Sequence, residues 1–142
     1  MLTRPREVNW EKVHKRRDPK LASSFCKIKF GKVGLLSREA GDLTYSQLEA
    51  CRRVISRILN RKGQIWVLVT PNHPYTATPI GIRMGRGKGK VDSWAYRARA
   101  GDVLFEVDGM SFEDCIKALK IASKKLPLST ELVYPEERME WF

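Results

Sequence analysis

A chain of 142 residues with 27 Lys and Arg against 16 Asp and Glu, a formal +11, has the length of one domain with a real core and a surface that repels itself. Its 42% hydrophobic and 30% charged content excludes a disordered chain, and its longest central apolar run, Ile65-Trp66-Val67-Leu68-Val69, is far too short to cross a membrane. A polyanionic partner, nucleic acid foremost, is the class that remains.

Residues 1–24 lack periodicity and read as an extended basic arm, followed by a domain over residues 25–134 and an acidic tail over residues 135–142. Lys27-Ile28-Lys29-Phe30 alternates at period two and predicts a strand running to Leu35, with bends at Gly31 and Gly34. Thr44 and Gln47 have the spacing of a capping box. Behind them Leu48, Cys51, Ile55, Ile58 and Leu59 recur at helical spacing, while Arg53, Arg57 and Arg61 share another face with Arg52 beside them. Gly63 is placed to end this helix in the left-handed conformation. Residues 64–70 predict a strand apolar enough to lie centrally in a sheet, and a proline-punctuated connection follows over residues 71–79. A further strand is expected to start at Ile80. Residues 94–99 alternate, with Trp94 and Tyr96 on one side and Arg97 and Arg99 on the other. Residues 103–107 form another strand, closed by the turn pair Asp108-Gly109. Ser111 and Asp114 cap a second helix with the core stripe Ile116, Leu119, Ala122 and Leu126, and residues 128–134 close the set as a strand. The expected fold is α+β: one domain, a mixed sheet of about five or six strands and two helices.

Charge is segregated along the chain. Residues 1–33 carry net +7, residues 46–62 net +4, residues 83–99 net +5, and residues 100–142 net −4. Segregation of this kind favours a cationic face laid on a polyanion, with the acidic end turned away. Within the third stretch, Arg83-Met84-Gly85-Arg86-Gly87-Lys88-Gly89-Lys90 sets a glycine at every second position between long side chains. Glycine lets a backbone approach a ligand closely, and the cations reach phosphates on either side. Neither the P-loop nor the dinucleotide fingerprint can be registered on this string, which leaves a nucleotide-binding enzyme without a template. In the arm, Lys12, His14, Lys15, Arg16 and Arg17 combine cations with a ring that stacks on unpaired bases, and Trp10 adds a second ring. A solvated surface is the plainer alternative for each basic run, including Arg52, Arg53 and Arg57. Glu49 is the one acid among residues 46–62, so intrahelical pairing is not the main use expected of these arginines. The two histidines, His14 and His73, have no Cys or His at ligand spacing, and no nucleophile elbow or zinc-hydrolase motif occurs, so no enzyme, metal or cofactor is expected. Cys26, Cys51 and Cys115 form no disulfide framework and fit a reducing compartment.

Five strings occur in order: Lys12-Val13-His14-Lys15-Arg16; Leu43-Thr44 with Gln47-Leu48-Glu49-Ala50-Cys51-Arg52-Arg53; Gly63-Gln64-Ile65-Trp66-Val67; Ile82-Arg83-Met84-Gly85-Arg86-Gly87-Lys88-Gly89; and Val103-Leu104-Phe105-Glu106-Val107-Asp108-Gly109. Together they resemble the bacterial-type L-sixteen family of large-subunit ribosomal proteins from the start of the chain to about Val133, and the string over residues 83–89 is the most specific.

The resemblance implies a hammerhead-like α+β domain on large-subunit rRNA, near the A-site tRNA and beside other large-subunit proteins, with no membrane insertion and no homo-oligomer. It assigns rRNA contacts to Lys12, His14, Lys15, Arg16, Arg17, Arg52, Arg53, Arg57, Arg86, Lys88 and Lys90. It also implies that Arg83, Met84, Gly85, Arg86 and Gly87 point toward the peptidyl transferase region, that Arg83 matches an arginine hydroxylated in some bacterial members, and that the chemistry belongs to RNA. Family members carry basic residues where Glu39-Ala40-Gly41-Asp42 stands here, so contacts from that stretch are not carried over. The wording of residues 85–88 and 104–109 is similar to mitochondrial members, and the chain opens where bacterial members open. A mitochondrial ribosome is the expected setting; the alternative is a bacterial cytoplasm.

Overall fold

The computed structural model describes residues 3–8, 10–14, 27–85, 87–109 and 111–135. Two helices and seven strands alternate as β1 Val33–Ser37, β2 Gly41–Thr44, α1 Tyr45–Ile58, β3 Gln64–Val67, β4 His73–Ala77, β5 Lys90–Ala98, β6 Val103–Asp108, α2 Phe112–Ser123 and β7 Thr130–Val133. The α+β class and both helices are as expected. The strands differ: they form two sheets rather than one mixed sheet, in the orders β3-β6-β1-β7 and β2-β5-β4, with every pairing antiparallel.

All five residues of β1 are buried, as its central place requires. Opposed pairs share a face, so Val33–Val107 and Leu35–Phe105 lie together under the helices, and Ile65 and Val67 extend that face along β3. Leu48, Cys51, Ile55 and Leu59 from the first helical segment meet Cys115, Ala118, Leu119 and Ala122 from α2 on this surface. Phe105 is fully buried at its centre, and truncating such a ring to Ala costs about 3–5 kcal/mol. The three-stranded sheet joins the same core through Leu43, Tyr96 and Ala98.

The opposite face of the larger sheet explains why residues 27–30 are not the strand their alternation predicts. Glu106 on β6 is completely buried, and its carboxylate accepts the backbone N–H groups of Lys29 at 3.1 Å, Phe30 at 2.7 Å and Gly31 at 2.9 Å. A buried charge must be hydrogen-bonded, and here the partner is a loop backbone folded over the sheet, so pairing starts only at Val33. Gly31 is required by this approach, since a Cβ there would sit 2.8 Å from the Val107 nitrogen. Phe30 stacks on Trp66 across the same face, with ring centroids 6.1 Å apart.

Three further boundaries depart from the sequence reading. The left-handed residues after α1 are Asn60 (φ 49°) and Arg61 (φ 60°), not Gly63; Gly63 is needed instead because a Cβ would lie 3.0 Å from the Asp108 carbonyl. The 64–70 strand is the short edge strand β3 rather than a central one, because β6, buried from Leu104 to Val107 and carrying Glu106, takes the inner place. Finally, β4 runs through Pro74, which an edge strand tolerates, while the strand expected from Ile80 is a loop joining β4 to β5.

Candidate nucleic-acid interface

Helix α1 presents the first basic surface. Gln47 Oε1 accepts the Thr44 N–H at 3.0 Å, one half of the expected capping box, and this sets the phase of the helix so that Leu48, Cys51 and Ile55 face inward. The opposite side forms a groove of about 600 Å³ lined by Arg52, Arg53, Ser56, Arg57, Asn60 and Arg61. Its arginines are not equivalent. Glu49, only 8% exposed, receives Arg52 Nε at 2.8 Å and Arg52 Nη2 at 2.7 Å, with Arg53 Nε at 3.1 Å. These hydrogen bonds, Arg52's first, outweigh the opposing effect of burial and hold the Glu49 carboxyl down at about 2, while the Arg52 guanidinium is raised. Intrahelical pairing thus claims more of Arg52 and Arg53 than the charge census predicts. Arg57 and Arg61 are exposed, and among the described residues neither has an acidic partner. Arg61, Ser56 and Asn60 extend the expected set; the i, i+4, i+8 spacing already carried Arg61.

The second surface is the long loop of the β4–β5 hairpin. Gly81, Gly85 and Gly87 have φ of 86°, 119° and 85°, and a Cβ on any of them would meet nothing within 4 Å. The glycines here therefore serve backbone torsion rather than internal packing. Ile80 and Met84 are fully exposed and Ile82 is 61% exposed, so Arg83 is flanked by apolar side chains that the domain does not cover. Gly89 differs, because a Cβ there would lie 2.4 Å from the Ala77 carbonyl oxygen at the neck of the hairpin.

The described part of the arm meets this neck. Lys12 Nζ donates to the Lys88 carbonyl at 3.1 Å, and Lys88 Nζ donates in return to the Val13 carbonyl. Lys90 begins β5, opposite Ala77. Two of the expected rRNA ligands thus hold the arm and the hairpin together. Lys15, Arg16, Arg17 and Arg86, and the acidic residues from Glu136 onward, lie outside the described residues.

Beside this junction is a third feature that the sequence reading did not assemble, a cleft of about 470 Å³ lined by His14, His73, Tyr96, Arg97, Arg99 and Asp102. Arg97 lies opposite Asp42 across β5 and β2, with Nε 3.7 Å from Asp42 Oδ1, and its Nη2 is 2.8 Å from His73 Nε2. Asp42 also accepts the Tyr75 hydroxyl proton, and burial together with this carboxylate pushes Tyr75 up to about 12. Asp102 Oδ2 accepts the Tyr96 hydroxyl at 3.0 Å and the Arg99 N–H at 2.8 Å; burial, then Asp102, pushes Tyr96 up to about 12. Both acids are thus occupied internally. The alternation of residues 94–99 was the signal that Arg97 and Arg99 act together.

Among the described residues, no three His, Cys, Asp or Glu side chains gather as a metal site, and no helix is long and apolar enough to cross a membrane. The groove and the cleft are both arginine-lined, which suits phosphate and base contacts.

Comparison with known proteins agrees with this geometry. The family profile described as "Ribosomal protein L16p/L10e" matches residues 5–133. The chain is similar to "Large ribosomal subunit protein uL16" of Buchnera aphidicola subsp. Cinara cedri, 42% identical over 93% of this chain and 96% of that protein. The uL16 proteins of Psychrobacter arcticus and Psychrobacter cryohalolentis are each 39% identical over the same shares. With a family match spanning both sheets, both helices and the glycine-rich hairpin, the chain belongs to the ribosomal protein L16p/L10e family.

Proposed function

We propose that this protein is a structural constituent of the large ribosomal subunit, bound to its rRNA, and that it helps shape the A-site tRNA and peptidyl transferase region during translation. The observation that carries the reading is 42% identity, over nearly the whole chain, to a protein named for the large ribosomal subunit. The α1 groove and the arm are its anchors on RNA phosphates. The hairpin loop, where Gly81, Gly85 and Gly87 and the side chains of Ile80 and Met84 are uncovered by the domain, reaches toward tRNA. The catalytic chemistry belongs to RNA, and the protein contributes no catalytic residue or cofactor.

Residues 1–24 act as the arm, residues 25–134 as the seated domain, and residues 135–142 as an acidic tail. The relatives named above are bacterial, which fits a bacterial cytoplasm, whereas the wording of residues 85–88 and 104–109 supports a mitochondrial ribosome. Sucrose-gradient sedimentation of cell and organelle extracts separates these settings. The protein is expected to travel with the large subunit through moderate salt, and recovery only in the soluble fraction would sink the ribosomal reading. Ribosomes carrying Arg83→Ala are expected to retain the protein but to slow tRNA accommodation or peptide-bond formation; unchanged translation would remove the role given to the loop.

A further inference from the structure

Both histidines of the chain line the cleft between the arm and the three-stranded sheet, although they lie far apart in sequence. His14 comes from the arm, held at its place by the reciprocal Lys12 and Lys88 contacts, and His73 comes from the first position of β4. Arg97 Nη2 has only protons to give, so His73 Nε2 accepts, and its ring proton lies on Nδ1. The guanidinium of Arg97 is gripped between His73 and Asp42, and the side chain is 18% exposed, so its orientation is set before any ligand arrives. No acid pairs with the guanidinium of Arg99 among the described residues, because Asp102 is already engaged by the Tyr96 hydroxyl and the Arg99 amide.

The cleft therefore offers oriented positive charge together with two flat heteroaromatic rings in a volume within the range of small-ligand sites. That combination matches a phosphate joined to a planar base. A peptide carboxylate would use the cations but not the rings.

We infer that the cleft receives one unpaired nucleotide of the large-subunit RNA, with its phosphate at Arg99 and Arg97 and its base against His14 and His73. This rests on the ribosomal reading above and adds to it a defined pocket for a single base. Unpaired nucleotides are the part of RNA whose base faces are free to stack on side-chain rings.

Large subunits carrying wild-type protein, His14→Ala or Arg99→Gln can be isolated on gradients and probed with dimethyl sulfate and a carbodiimide, which together report all four bases. His14 sits on the exposed arm, so its replacement leaves the core intact. The expected result is one nucleotide, shielded in the wild type, whose reactivity rises roughly tenfold in both variants, the weight of one stacking contact. The same nucleotide should stay shielded in Lys117→Gln subunits, since Lys117 is exposed on α2, away from the cleft and the α1 groove. Subunits that contain the variants with no change at any nucleotide would overturn the pocket while leaving the ribosomal assignment standing. A cleft that crosslinks only to a neighbouring protein would do the same. Absence of the wild-type protein from the large subunit would overturn both.

Discussion

The clearest separation between anchoring and folding lies on α1, where neighbouring arginines have different partners. Replacing Arg57 and Arg61 together by Gln removes two exposed guanidinium groups that no acid among the described residues holds, while Leu48, Cys51 and Ile55 stay buried on the other side of the helix. Gln keeps a similar stem at both sites and a similar helix propensity at Arg57, so folding stability should shift by less than about 0.5 kcal/mol per site. RNA binding should change far more. Each phosphate contact contributes about 0.9 to the slope of log K against log salt, so losing two lowers the slope by roughly 1.8, or ~30-fold in affinity at 0.15 M salt. Binding of the purified protein to large-subunit rRNA, measured from 0.05 to 0.3 M salt, gives the slope directly. Arg52→Gln is the contrasting variant, since it leaves the nearly buried Glu49 with Arg53 alone and should destabilise the helix. An unchanged salt slope in the Arg57 and Arg61 variant would refute the groove as a phosphate surface.

The same helix makes a pH prediction. Glu49 is held near 2 in the folded state against an ordinary 4.5, so its contribution is present above about 4.5 and is lost as pH falls toward 2. Allowing for the exposure of Arg53, that contribution is on the order of 2 kcal/mol; the Tm difference between wild type and Glu49→Gln should be full at pH 7 and shrink by pH 2.5. Gly89→Ala places a Cβ 2.4 Å from the Ala77 oxygen and should cost about 1–3 kcal/mol in thermal unfolding, whereas an undisturbed Tm would show that the hairpin neck is loose. Burial pushes the Cys51 thiol up to about 11, so iodoacetamide at pH 8 should leave it unmodified in the native protein and alkylate it only after denaturation; rapid native labelling would contradict its burial.

What was legible in the sequence was mostly local. Thr44 and Gln47 announce α1, Ser111 and Asp114 announce α2, and the run over residues 103–107 is a strand, because each of these signals is complete within one turn or one strand. What stayed hidden depended on partners distant in sequence. The alternation of residues 27–30 is real, but Glu106, far along the chain, takes their amides and turns the segment into a cover over the sheet. β4 was obscured by Pro74, because a proline reads as a break unless the strand is known to lie at an edge. Each half of the His14–His73 cleft looks ordinary alone, a basic arm and a turn between prolines, and only the fold brings them to one place.

The two surfaces proposed to face RNA differ in the physics they offer as well as in position. The α1 groove offers exposed arginine charge, and contacts made through charge weaken steeply with salt. The hairpin tip carries Ile80 and Met84 in full exposure, and burying a side chain of that kind contributes about 1.5–3 kcal/mol. An exposed apolar tip is a liability for a free protein and an asset for one that is covered in its assembly. Apolar contact does not release counterions, so the tip's hold on its partner is expected to survive salt that loosens the anchors. Glycines at positive φ between Arg83 and Lys88 then let the backbone itself come close to whatever the tip touches, which longer side chains at those positions would prevent. A rigid helix supplies charge at fixed spacing, while the glycine loop supplies reach.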